Sequence, residues 1–260
     1  MAPELWRRAV AELVGTALLV AVVVGSGIMA AALSPDVGVE LLANSVATAF
    51  GLTVIILVVG PVSGAHLNPV VSLADWWLAR RSGTGLRGPD LGVYVAAQAV
   101  GAVAGAVLAN VMFDLAPVVW SVKDRDQPHL WLGEVVATAG LILLVFALAR
   151  SGRAALAAPV VGAYIGAAYW FTSSTSFANP AVTVGRAFSD TFAGIAPASV
   201  PGFVVAQLVG LLIGLGLLAV LYPHAGHRAA ADHTPNAADR VVLLDEAAPA
   251  GVVTAGGREG

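Results

Sequence analysis

Six long apolar runs divide this chain, each closed by a short polar stretch. They extend from about Ala9 to Leu33, Leu41 to Gly60, Leu91 to Phe113, Trp131 to Ala149, Ala155 to Phe171 and Pro201 to Tyr222. A hydrocarbon core about 30 Å thick is crossed by about 20 apolar residues in a helix, so each run predicts a membrane span. The first is too long for a signal-peptide core and carries no convincing cleavage site, which makes it a retained span. Two shorter segments do not fit this pattern. Each begins at an Asn-Pro pair, Asn68-Pro69 and Asn179-Pro180. Asn caps a helix with its side-chain oxygen, and Pro suits the first helical position, where a missing N–H costs nothing. The run from Pro69 to Ala79 ends at Arg80 and Arg81. About 12 helical residues span about 18 Å, roughly half a bilayer. The pattern therefore predicts helices that start in mid-membrane, twice.

The two halves repeat. Glu12 and Thr16 correspond to Glu134 and Thr138, an offset of 122 residues, and Asn68 corresponds to Asn179, an offset of 111. Gln98, Gly101 and Gly105 correspond to Gln207, Gly210 and Gly214, an offset of 109. Three spans per copy is an odd number, so the second copy must lie upside down. Interrupted helices at matching places of an inverted repeat point to the functional site. Predicted organisation is a short N-terminus (1–8), a membrane-embedded region (9–222, with copies at about 9–113 and 131–222) and a polar, Ala/Gly/Pro-rich disordered tail (223–260).

Composition agrees with the spans: 58% of the 260 residues are hydrophobic and 11% charged. A net charge of −3 without a basic stripe argues against nucleic-acid binding. With no cysteine and five scattered histidines, neither a metal centre nor a cofactor is expected. No nucleophile–base set or phosphate loop is present, which disfavours an enzyme. Arg7, Arg8, Arg80, Arg81, Arg87, Arg150, Arg153 and Arg228 fall on one side, and Lys123, Arg125 and Arg186 on the other. The positive-inside rule then puts both termini in the cytoplasm, with the plasma (inner) membrane as the expected location.

The two half-helices meet N-terminus to N-terminus near the midplane. Their dipole ends repel cations, including hydronium. Asn68 and Asn179 can cap with their oxygens and still offer N–H donors to a lumen. Irregular backbone at that depth is tolerated where it lines a cavity or is buried in protein. The expected passengers are neutral and polar.

Ser63-Gly64-Ala65-His66-Leu67-Asn68-Pro69 and Asn179-Pro180-Ala181 resemble the paired signature of the major intrinsic proteins, the aquaporins and glycerol facilitators. The resemblance covers about Ala9 to Tyr222. It implies an all-α membrane fold of six tilted spans plus two half-helices, a pore in each protomer, and a homotetramer in the bilayer. The pore motifs would be Asn68, Pro69, Val70, Asn179, Pro180 and Ala181, with Val70 where Ala is usual. Family spacing implies a selectivity filter of Thr48, Ala167, Ser176 and Val182; a shift of two residues would replace Thr48 by Phe50. Val182 stands where many members carry Arg. Arg186, one turn further on, is expected in the outer vestibule. Such a small, uncharged filter implies a passage wider than water needs. The stretch around Asn179 resembles the bacterial members linked to arsenic resistance. Expected solutes are therefore water, glycerol-like polyols, and the neutral trihydroxides of arsenic and antimony.

Two readings of Glu12 and Glu134 stand. An ionisable group within a span is a functional candidate, here the relay of a proton-coupled transporter. Alternatively each carboxylate accepts loop N–H groups and holds a half-helix in place, which the resemblance favours. A structural membrane protein needs no polar lumen at all. Gln98 and Gln207 read as helix–helix contacts, and the Gly pairs as sites of close packing. His66 reads as a structural hydrogen-bonding group beside the pore loop, with a pH gate as the alternative.

Overall fold

The computed structural model describes residues 3–83 and 85–223, without the side chains of Arg81 and Ser82. The expected tail, with His224, His227 and His233, lies outside the described residues. Eight α-helices follow in chain order: α1 Leu5–Leu33, α2 Val37–Ser63, α3 Pro69–Ser82, α4 Gly88–Met112, α5 Pro128–Arg150, α6 Ala157–Phe171, α7 Pro180–Arg186 and α8 Val200–Leu221. Single 3-10 turns at Ala154–Leu156 and Pro197–Ser199 lead into α6 and α8. Among the described residues six helical stretches are long and apolar enough to cross a membrane, and α3 and α7 are the two short ones.

Local chemistry sets the ends. Asp36 caps α2, its Oδ1 accepting from Gly38 and Val39 N–H at 2.7 and 3.1 Å. The apolar pattern begins α2 at Leu41, but the helix starts four residues earlier because this cap precedes it. It also continues through Pro61 to a left-handed Gly64 with φ 88°. Asn68 and Asn179 cap α3 and α7 as expected, with Pro at the first position of each.

Packing follows the repeat. α1 pairs with α4, α5 with α8, and α2 with α6. A methyl added at Gly210 or Gly214 would lie 2.7 Å from the carbonyl oxygens of Val135 and Ala139 respectively. Gly101 and Gly105 meet Leu13 and Ala17 backbone in the same manner, at the matching places of the first half. Helices carrying small residues can approach backbone to backbone, and dispersion replaces the hydrophobic drive that lipid does not supply. Large apolar side chains such as Phe50, Val58 and Leu212 point outwards and are exposed.

Candidate functional site: a cavity between two half-helices

Each half-helix is preceded by a loop that dips into the protein with unusual backbone. Ala65 and Leu67 have φ of 50° and 51°, and Ser176 and Ala178 have φ of 50° and 49°. Left-handed conformations at residues with a Cβ cost about 1 kcal/mol or more each, so something must hold these loops. The holders are the two buried glutamates. Glu12 accepts from His66 and Leu67 N–H at 2.9 and 2.6 Å, from Ser63 Oγ at 2.6 Å and from Gln98 Nε2 at 2.8 Å. Glu134 accepts from Phe177 and Ala178 N–H at 2.8 Å each and from Gln207 Nε2 at 2.6 Å. Charge-assisted bonds of this kind are the strong ones.

Gln98 and Gln207, whose partners cannot be read from the chain, tie the glutamates to the half-helices. They donate their second N–H to Ser72 Oγ and Thr183 Oγ1, each at 2.9 Å. Ser72 and Thr183 stand four residues after Asn68 and Asn179, so their register was a usable signal. His66 makes the expected structural bond, Nδ1 to Ser72 Oγ at 3.1 Å, while also lining the cavity.

The two asparagines lie together. Asn68 Nδ2 donates to the Ala178 carbonyl at 2.8 Å, and Asn179 Nδ2 to the Leu67 carbonyl at 2.7 Å. Their oxygens take Val70 N–H, and Ala181 and Val182 N–H, at 3.0 to 3.2 Å. Each amide thus spends one of its two N–H bonds on the opposite loop and leaves one without a partner among the described residues, fewer than the two that capping alone would leave. Pro69 and Pro180 open the helices; Val70 and Ala181 are buried in the apolar core.

One cavity of about 240 Å³ runs past this pair. Stripes with helical spacing line it: Thr48, Leu52 and Ile56 on α2; Leu141, Val145 and Ala149 on α5; Val161, Ile165 and Tyr169 on α6. On the half-helices, Val71 and Asp75 follow Asn68, and Val182 and Arg186 follow Asn179. One end is therefore mainly apolar with Asp75, whose carboxylate accepts Leu86 N–H at 2.7 Å. The other end is polar: Thr48 Oγ1 and Tyr169 Oη lie 3.1 Å apart, with Ser176 and Arg186.

Thr48 is buried and lines the cavity, whereas Phe50 is 71% exposed on the opposite face. Ser176 and Val182 line it too. Ala167 does not: it is exposed on the far side of α6. The lumen stripe of α6 advances in steps of four through Ile165 to Tyr169, and a residue two positions after Ile165 faces the other way. Spacing counted back from Asn179 assumes a fixed loop length and misses this. Tyr169 is the residue it overlooks. Its signal was the stripe Val161, Ile165, Tyr169 itself.

Arg186 also departs from expectation. It sits in the cavity wall, 2% exposed, rather than in an open vestibule. Its Nε donates to the Ala193 carbonyl, and its guanidinium lies over the Phe177 ring at 3.4 Å. Arg125 stacks on the same ring at 5.1 Å, from the loop joining α4 and α5. Burial, opposed by Glu134 and Tyr169, brings the Arg125 guanidinium down to about 10.

Comparison with known proteins places these features. The family model described as "Major intrinsic protein" matches residues 1–176. The aquaglyceroporin AqpS of Rhizobium meliloti (strain 1021) is 51% identical over 215 residues, 83% of this chain and 90% of that one. The glycerol uptake facilitator protein of Pseudomonas aeruginosa is 30% identical, covering 91% of this chain and 93% of its own. Among solved structures, the Plasmodium falciparum aquaglyceroporin superposes with a TM-score of 0.64 at 21% identity, over 84% of this chain and 97% of that one, a likeness of fold.

Proposed function

Starting from a chain that belongs to the major intrinsic protein family, and so is a multi-pass membrane channel of the aquaglyceroporin type rather than an enzyme, we propose a passive conduit for uncharged hydroxylated solutes larger than water. The single supporting observation is the cavity that runs from Asp75 past Asn68 and Asn179 to Arg186. Its polar end offers hydroxyls of Thr48, Tyr169 and Ser176, with apolar Val182 in place of a guanidinium. Hydroxyl groups give and accept bonds there, while alternating apolar stripes pass the carbon backbone of a polyol. Glycerol-like polyols fit this chemistry, and so do the neutral trihydroxides of trivalent arsenic and antimony, which present three hydroxyls on a compact centre.

A proton-coupled carrier is disfavoured by what Glu12 and Glu134 do. Each carboxylate is filled by loop and Gln donors, and neither lines the cavity. We also propose cytoplasmic termini, from Arg80 and Arg150 lying on the side of the N-terminus, and the homotetramer that the exposed apolar helix faces would permit.

Solute uptake into proteoliposomes tests the proposal. Fast, unsaturated glycerol and arsenite flux that ignores an imposed proton gradient is expected. A protein that conducts water yet excludes both solutes would end the wide-filter reading, and flux that follows the proton gradient would favour the carrier.

A further inference from the structure

Arg186 is a buried cation for which no carboxylate partner exists among the described residues. Removing a guanidinium from water costs several kcal/mol unless charge or hydrogen bonds compensate. Stacking on Phe177 and one bond to the Ala193 carbonyl compensate in part. A guanidinium carries five N–H donors. The two terminal nitrogens have no acceptor among the described residues, on a side chain that lines the cavity. A second observation points the same way. Ser176, next to Phe177 in the chain and lining the same cavity, has a buried hydroxyl with no partner. Behind Phe177, Arg125 adds positive charge without a carboxylate ion pair of its own among the described residues. The carboxylate lining the cavity, Asp75, sits at the equivalent place of the other half-helix, at the far end, and is engaged by Leu86 N–H.

We propose that the α7 end of the cavity is a binding station for a small planar monovalent oxyanion, a carboxylate or nitrate, and that an anion seated there obstructs neutral solutes. The terminal nitrogens of Arg186 form a rigid fork that matches two coplanar oxygens. The Ser176 hydroxyl supplies a further donor. Asp75 makes the opposite end unfavourable to the same ion, so the anion is held rather than passed. The obstruction rests on the channel reading above; the binding does not.

Nitrate is a suitable probe, because it stays ionised and does not cross bilayers as a neutral acid. Purified full-length protein in detergent is heated with increasing nitrate, with the bulky sulfonate MES at matched ionic strength correcting for screening. Saturable, nitrate-specific stabilisation is expected in the native chain, since a ligand of the folded state raises its unfolding temperature. Apparent affinity should fall about tenfold or more in Arg186→Gln, and by less in Arg186→Lys, which keeps the charge and loses the fork. Ser176→Ala, a mild change, should weaken it measurably. In proteoliposomes nitrate should slow glycerol flux in the native chain over the same concentration range. Absence of nitrate-specific stabilisation, or equal stabilisation in a folded Arg186→Lys and Ser176→Ala pair, overturns the station. Stabilisation with undiminished glycerol flux overturns the obstruction. If glycerol does not permeate at all, the channel reading fails while the heating series still decides whether the anion binds.

Discussion

Glu12 and Glu134 hold four amide protons of two strained loops, and that role can be measured. Glutamine in either place keeps one acceptor oxygen and turns an N–H₂ toward loop N–H groups. Loss of a charge-assisted bond and repulsion between donors should cost about 2–4 kcal/mol, read as a lower unfolding temperature in detergent. Glu134→Gln and Glu12→Gln should behave alike, because each carboxylate takes two loop N–H groups and one Gln amide. A relay residue would instead leave stability intact and abolish proton coupling. Filter chemistry can be tested in the same way. Val182→Arg places a guanidinium one turn below Arg186, in a wall already carrying an unpaired charge. Glycerol flux should fall about tenfold or more, equivalent to about 1.4 kcal/mol of added barrier. Unchanged flux would put the constriction elsewhere. Ala167→Leu should leave glycerol flux unaltered, because that side chain faces away from the lumen, whereas Tyr169→Trp should narrow it.

The helices pair through glycine. In α8, Gly214 lies against the Ala139 backbone of α5, and a methyl there has no room. Gly214→Ala should cost about 1–3 kcal/mol through overpacking, seen as earlier thermal unfolding, while Gly216→Ala, in open space, should be neutral or slightly stabilising. The half-helices differ in length. α3 has 14 residues and α7 only 7, roughly 21 and 10 Å. α7 stops at Arg186 and the chain turns back through 187–196, where the Ala193 carbonyl meets that arginine. A short helix followed by a folded return explains why a side chain one turn beyond Val182 stays inside the wall. Helical spacing alone puts Arg186 on the lumen face but says nothing about the return that covers it.

The inverted repeat places equivalent elements around the cavity but fills them with different side chains. Equivalent positions carry Asp75 and Arg186, and the hydroxyls of Thr48, Tyr169 and Ser176 gather at one end. Six spans, two half-helices and the pairing of Asn68 with Asn179 were legible in the chain, whereas the bracing by Glu12 and Glu134 was one of two readings that the chain left open. The reason is physical: hydropathy is set by side-chain composition, caps act over three or four residues, and duplication lets one half check the other. Gln98 and Gln207 read only as helix–helix contacts and Tyr169 was given no role, because each meets a partner 24 to 121 residues away. Spacing measured along the chain pointed to Ala167, yet helix rotation about its own axis turns that residue to the outside. Likewise the environment of Arg186 depends on where the 187–196 segment folds and on the ring of Phe177. Elements and their register follow from local preference and periodicity; what each lumen side chain faces is decided by packing between distant segments, which no local pattern encodes.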